Sequence, residues 1–222
     1  MIKRITDTIS GSALSGVAPE SVAAPQRLRS LHFIGIGGAG MSGIALVLHK
    51  RGYRVTGSDL KPSRYVTLLE NAGVPVFIGH KAANLDQPDV AVISSAIPAH
   101  NVELREARRR GILVVKRAQA LAWLMQSGRG IAVCGTHGKT TTTSMISRAL
   151  VDEGFDPTFL VGGELNDMGS NARQGEGEFV VCEADESDGS LLLLEPEVAV
   201  VTNLEFDHHS HYLHVEDIER VF

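Results

Sequence analysis

The chain holds 222 residues, 43% of them hydrophobic, with 26 acidic against 21 basic side chains and a formal net charge of −5. That size and apolar content suit one large or two small domains with real cores, and the acidic balance argues against a nucleic-acid surface, which would show as a basic patch or stripe. No apolar run approaches the ~18 residues of a membrane-crossing helix, and two cysteines, Cys134 and Cys182, are too few for a disulfide framework and read as buried reduced thiols.

Residues 1–30 are rich in Ser, Ala, Gly and Pro and read as a flexible leader. The opening "MIKRITDTIS" is basic but has no apolar stretch after it, so it makes a poor signal peptide, and the chain reads as soluble and cytoplasmic. A regular alternation then begins. "LHFIGI" predicts a strand, and "AGMSGIALVLHKRG" a helix stopped at Gly52. "YRVTGSD" predicts a second strand, and "SRYVTLLENAG" a helix with Ser63 as N-cap and Gly73 as its stop. "VPVFIG" and "DVAVISSAI" read as strands, the latter apolar on both faces like a central parallel strand. "NVELREARRRG" predicts a helix, "ILVVK" a strand and "AQALAWLMQSG" a closing helix. In "NVELREARRRG" the basic cluster Arg105, Arg108, Arg109 and Arg110 is interleaved with Glu103 and Glu106 and reads as a solvated helix face.

A second alternation starts near Gly130, placing a domain boundary at Ser127–Arg129. "GIAVCG", "PTFLVGG", "GEFVVCEAD" and "EVAVVTNLE" read as strands, "KTTTTSMISRALVDEG" as a helix, and "VEDIERVF" as the start of another. This second unit has few elements with which to close a sheet. Strand–helix alternation of this kind predicts an α/β protein. We expect a Rossmann-like doubly wound parallel sheet over residues 31–128, and a partial P-loop NTPase-like domain over 129–222.

Two loops carry the chemistry. In Gly35-x-Gly37-x-x-Gly40, Gly35 permits a tight turn and Gly37 lets backbone approach a diphosphate. Gly40 is expected to permit close helix–strand packing, and the helix N-terminus supplies N–H groups and positive dipole. Asp59 ends the second strand about twenty residues on, where a ribose-binding acid belongs; an N-cap or surface acid is the plainer alternative. Taken alone the loop suggests NAD, yet it suits any nucleotide diphosphate, including a UDP-sugar.

"GTHGKTT" is a compressed P-loop in which Gly135 precedes Gly138 by three. Lys139 can reach the β- and γ-phosphates of a nucleoside triphosphate, and Thr140 can ligate Mg²⁺. Glu183 ends the buried strand "FVVCE", where a metal-holding carboxylate belongs; Asp185, Glu186 and Asp188 follow, so which acid serves stays open. His208 is a candidate second metal ligand or phosphate contact, whereas His209, His211 and His214 read as solvated surface residues. One site thus suits a diphosphate held for binding, the other ATP–Mg²⁺ held for chemistry.

Seven motifs in order, "HFIGIGGAGMSGIA", "GSD", "SSAI", "GTHGKTTTT", "GGELNDMGSNAR", "EADESD" and "TNLEFDHH", resemble the Mur ligases of bacterial cell-wall synthesis. The form "GIGGAGMSG" favours the L-alanine-adding branch over the branch that recycles murein tripeptide. The resemblance implies an ATP- and Mg²⁺-dependent ligase of peptidoglycan synthesis that joins L-alanine to the carboxylate of UDP-N-acetylmuramate through an acyl phosphate. Carried over by motif, Gly135, Thr136, His137, Gly138, Lys139, Thr140 and Thr141 would bind ATP, with Lys139, Glu183 and His208 at the reaction centre. Thr140, Glu183 and His208 would hold Mg²⁺. Gly37, Gly38, Ala39, Gly40 and Met41 would face the UDP diphosphate, Asp59, Ser94 and Ser95 its nucleotide end, and Asn166, Asn171 and Arg173 the muramoyl group. The family's C-terminal domain is not in this sequence, so binding with little turnover is expected of the chain. Competing readings are an NAD(P)-dependent oxidoreductase and a non-catalytic UDP-sugar-binding module. No nucleic-acid or membrane partner is expected, and the sequence does not give the oligomeric state.

Overall fold

The computed structural model describes residues 23–165, 170–184 and 190–205. The chain runs β1 (Ser30–Ile34), α1 (Ala39–Lys50), β2 (Arg54–Asp59), α2 (Arg64–Asn71), β3 (Val76–Ile78), β4 (Val90–Ile93), α3 (Val102–Arg109), β5 (Leu113–Lys116) and α4 (Arg117–Met125). It continues through β6 (Arg129–Cys134), α5 (Lys139–Asp152), β7 (Thr158–Leu165), β8 (Ser170–Arg173), β9 (Phe179–Glu183) and β10 (Val198–Val201). No described helix is long and apolar enough to cross a membrane.

The first sheet is wholly parallel, in the order β3-β2-β1-β4-β5. Every residue of β1 is buried, as a central strand covered on both faces requires. Strand order reverses between β1 and β4, so the loops that follow them frame a crevice at the sheet's carboxyl edge. The leader ends earlier than expected: Ser30 already pairs in β1, because Asp89 accepts hydrogen bonds from the backbone of Arg29 and Ser30 and from the Ser30 hydroxyl. Those donors hold the Asp89 carboxyl below its usual range. The strand expected over "DVAVISSAI" stops at Ile93, where pairing with β5 runs out and Ser94 opens a turn closed by the Ile97 N–H. Ser63 caps α2 as expected, accepting from the Val66 N–H at 3.2 Å.

Helix α3 corrects the charge reading. Glu106 is clasped by Arg109 and Arg110 on the outer face, as expected, but Glu103 is 0% exposed. Asn101 caps the helix by accepting from the Glu103 and Leu104 N–H groups, and this turns Glu103 inward.

The second sheet has the order β10-β6-β9-β7-β8, parallel except for the β7–β8 pair. It has more strands than the sequence suggested, because the short polar edge strand β8 was not anticipated. The phosphate-type turn after β6 and the acidic end of β9 emerge side by side, since these strands are neighbours.

The two units pack through α1. Seven of its residues, Met41 to Ala45 with Val47 and Leu48, are buried. The helix lies against its own sheet and also against β7 and β8. A Cβ on Gly43 would sit 3.1 Å from the Ala172 Cβ, which shows how closely helix and strand approach. Asn171 Nδ2 donates to Ala39 O at 2.7 Å, and the Arg51 guanidinium donates to Gln174 Oε1 (2.7 Å) and Ser127 Oγ (2.6 Å). One buried cluster runs without a break from Leu31 and Ile44 to Leu160 and Cys182.

Overpacking this seam tests its importance. Gly43→Leu is expected to destabilise the chain by about 1–3 kcal/mol and to split the calorimetric unfolding peak into two. A single unshifted peak would show that α1 does not join the two units.

Candidate functional site

The first glycine loop is braced from within. Gly35 adopts φ +83°, a left-handed conformation open to glycine. Gly37 N–H donates to Asp59 Oδ2 at 2.8 Å, and Ser63 Oγ donates to Gly37 O at 3.2 Å. A Cβ at Gly37 would lie 2.9 Å from the Asp59 carboxylate, so this glycine is set by the acid it holds. Asp59 therefore sits in the loop's own framework and is not a helix N-cap. Gly40 also differs from expectation: the atoms nearest to where its Cβ would be belong to the Arg117 side chain, Nη1 at 3.1 Å, and not to a strand. Gly38 caps α1 without a side-chain hydrogen bond, and the first turn has no acid, which leaves the helix N-terminus suited to an anion.

The second loop is braced by the residues after β10. Gly135 adopts φ +122°, and a Cβ there would meet Thr202 Oγ1 at 2.2 Å. Asn203 O accepts from the Thr136 N–H, Asn203 Oδ1 accepts from the His137 N–H at 2.9 Å, and the Thr202 hydroxyl donates to His137 O. Gly138, with φ +82°, caps α5 with no side-chain bond. Lys139 Nζ lies over the loop, donating to Gly135 O at 2.6 Å. Thr140 and Thr141 are exposed at the helix start, whereas Thr143 is buried and donates to Lys139 O.

Glu183 is half-buried at the end of β9, where its Oε1 accepts from the Gly162 N–H at 2.8 Å. A Cβ at Gly162 would come 2.5 Å from Glu183 Oε2, so any larger residue there would push this carboxylate from its place. One threonine hydroxyl and one positioned carboxylate fit Mg²⁺, which keeps several waters and is completed by phosphate oxygens. No cluster of three or more His, Cys, Asp or Glu is found among the described residues. Cys134 and Cys182 are buried free thiols, as expected; burial, with help from Glu183, pushes the Cys182 thiol up to about 12, so it is unreactive.

The two loops meet in one place. A cavity of about 270 Å³ is lined from the first unit by Gly38, Gly40, Met41, Ser94 and Arg117, and from the second by Lys139, Gly162 and Glu183. A larger cavity of about 700 Å³ lies on the other side of the first loop, with Gly37, Asp59, His80, Ile97 and Asn101 in its wall. Gly38 and Ser94 belong to both, so the two form one groove across the α1 N-terminus.

Other expected residues lie apart. Asn171 is buried and spends its amide on Ala39 O. Arg173 pairs with Asp156 and lines a third cavity with Lys50 and Phe159. Ser95 lines neither half of the groove, and His137 is exposed, 3.8 Å from Glu205. Asn166, Asp185, Glu186, Asp188 and His208, together with His209, His211 and His214, fall outside the described residues. Sequence reasoning missed Arg117, Gly162, His80 and the braces Thr202 and Asn203. Only Gly162 and the two braces lay within motifs that carried the resemblance.

A buried charge supports the wall of the larger cavity. Glu103 Oε2 accepts from Ser58 Oγ at 2.5 Å and lies 3.0 Å from His80 Nδ1; Oε1 accepts from Asn84 Nδ2 (2.5 Å) and the Lys81 N–H (3.2 Å). His32 Nε2, buried and without a hydrogen-bond partner, stands 3.8 Å from the same carboxylate. Burial would raise the Glu103 pKa, but His32, Ser58 and Asn84 outweigh it and hold the group at about 2.

Comparison with known proteins agrees with this architecture. Residues 30–129 match the model of the Mur ligase family catalytic domain, and residues 133–222 match the Mur ligase middle domain. The chain is 58% identical over 192 residues to a UDP-N-acetylmuramate–L-alanine ligase of Rubrobacter xylanophilus, covering 86% of this chain and 43% of that protein. Among solved structures it is similar to the UDP-N-acetylmuramate–alanine ligase of Thermotoga maritima, with a TM-score of 0.81 at 31% identity over 86% of this chain and 45% of that one. A UDP-N-acetylmuramate:L-alanyl-γ-D-glutamyl-meso-diaminopimelate ligase from Neisseria meningitides also gives 0.81, at 32% identity, covering 88% and 66%. The chain thus spans less than half the length of the L-alanine ligases it matches.

The Glu103 network sets a pH dependence. Its folded pKa of about 2 lies below the ordinary 4.5, so its stabilisation is complete above pH ~4.5 and is lost as pH falls toward 2. Glu103→Gln is expected to cost about 3 kcal/mol at pH 7, and the gap to the parent should narrow steadily below pH 4.5 in urea melts. A gap that stays constant down to pH 2.5 would mean the charge plays no part.

Proposed function

The chain belongs to the Mur ligase family, and from that premise we propose that it is the substrate- and ATP-binding portion of an L-alanine-adding ligase of peptidoglycan synthesis, acting in the cytoplasm on UDP-N-acetylmuramate. The observation that carries this reading is the single groove joining the two loops. An oxidoreductase gives Lys139 and Glu183 no task; a ligase needs both ends.

In this reading the UDP-sugar lies across the α1 N-terminus. The uridine would enter the larger cavity, where Asp59 Oδ1, which also accepts from the Lys61 N–H at 3.3 Å, would accept from ribose hydroxyls. The diphosphate rests on the N–H groups of Gly38 to Met41, favoured by the helix dipole. The muramoyl carboxylate then points into the smaller cavity, toward Lys139 and Glu183. ATP with Mg²⁺, when bound, supplies the phosphoryl group that activates this carboxylate. Thr140 and Glu183 would hold the ion, and the N–H groups of the Gly135–Lys139 turn would hold the phosphates. Lys139, now donating to its own loop, would exchange those bonds for phosphate oxygens and stabilise the charge that builds there. The seam between the units keeps the carboxylate and the phosphate site in register, which is where an effective molarity advantage arises. The amino group of L-alanine would then displace phosphate to form the amide.

Calorimetric titration tests the reading. UDP-N-acetylmuramate is expected to bind and NADH not to. Lys139→Ala should leave the UDP-sugar affinity within about threefold while weakening ATP–Mg²⁺ by roughly tenfold or more, the worth of a charge-assisted bond. Binding of NADH with no response to the UDP-sugar would overturn the assignment.

A further inference from the structure

Arg117 occupies a place that local rules disfavour. It opens α4, where the helix dipole favours anions, yet the first turn of α4 has no acid and the preceding residue is Lys116. A cation held at a helix N-terminus against the dipole is a local conflict of the kind found at functional sites. The side chain is half-buried and enters the smaller cavity beside Lys139 and Glu183. Its guanidinium packs against Gly40 near the start of α1: a Cβ there would meet Nη1 at 3.1 Å, Cδ at 3.3 Å and Cζ at 3.8 Å.

Arg117 is absent from the wall of the larger cavity, so it faces the reactive end of the groove and not the nucleoside end. Resting on the reading of the groove given above, we propose that Arg117 is a specificity residue that grips the free carboxylate of the UDP-sugar from the first unit, opposite Lys139 of the second. The planar guanidinium fork matches a carboxylate with two parallel hydrogen bonds, which the point charge of a lysine cannot do. The arginine thereby selects substrates that carry an acid on the sugar, and orients that acid toward the phosphate loop. A side chain at position 40 would press on the guanidinium where it now lies.

The test compares two ligands that differ in the lactyl ether bearing the acid: UDP-N-acetylmuramate and UDP-N-acetylglucosamine, which has a free hydroxyl in its place. Both are titrated calorimetrically, without ATP, into the parent chain, Arg117→Gln and Arg117→Lys. The parent is expected to prefer the acid-bearing ligand by roughly tenfold or more. Arg117→Gln should erase that preference while its affinity for UDP-N-acetylglucosamine stays within about twofold, and Arg117→Lys should retain part of it. If Arg117→Gln melts far below the parent, Arg117→Lys carries the test, because it keeps the charge and loses the fork. Equal weakening of both ligands, or no change in either, overturns the proposal while leaving the UDP-sugar reading intact. Failure of the parent to bind either ligand sinks both.

Discussion

The approach of α1 to β7 and β8 is the constraint on which the two-site arrangement depends. The helix belongs to the first sheet by connection and to the second by packing. Such an approach requires small residues where backbone meets backbone, and Gly43 against Ala172 provides them. The Asn171 amide then fastens the far strand to Ala39, the residue that begins the first phosphate-type helix. A hydrogen bond at that point fixes the helix N-terminus relative to the second sheet. The same sheet positions Lys139, which opens α5 after β6, beside Glu183, which ends the neighbouring β9. Close packing transmits this placement because the interior is dense and yields little. The N-termini of α1 and α5 are therefore neighbours by construction.

A second constraint is electrostatic. Burying a carboxylate costs several kcal/mol unless it is well satisfied. Glu103 meets that condition through four partners drawn from β2 and the segment after β3. The network ties His80 and the β2 end together, and both stand in the wall of the larger cavity. Asp59 makes the same kind of link one step nearer the loop, through Gly37. Two acids thus shape the larger cavity of the groove from within, one fully buried and one facing it.

Much of this was legible in the sequence, for physical reasons. A buried strand, a glycine turn and a helix start impose strong local demands, so "FIGIGGAGMSG" and "VCGTHGKTTTTS" announce themselves. Period and punctuation placed most strands and helices of both sheets. What escaped depends on partners distant in the chain. Ser170–Arg173 is too short and polar to read as a strand; its pairing comes from β7. "NVELREARRR" has the charge pattern of a solvated helix, and Glu106 obeys it. Glu103 does not, because Ser58, His80 and Asn84 converge on it from elsewhere. Gly40 was read as a packing glycine when its neighbour is the Arg117 guanidinium, some eighty residues later. Asn171 and Arg173 lie in a motif of the resemblance, yet their side chains here meet Ala39 and Asp156.

The charge of the cleft gives these features a common direction. The chain as a whole is acidic, at −5, so its overall field repels anions. Among the described residues that line the smaller cavity, two cations, Arg117 and Lys139, stand against one carboxylate, Glu183. Positive charge is thus concentrated where two helices, α1 and α5, also begin without a side-chain cap, so that their N-terminal dipoles add to the field. Low-dielectric walls focus such a local field, and its influence beyond the cleft fades within a Debye length, about 8 Å at physiological salt. A ligand with several negative groups therefore gains little from the protein at a distance and much on entering the groove. That is the electrostatic profile of a site that discriminates by position, in which each anionic group must reach its own donor before the attraction is felt.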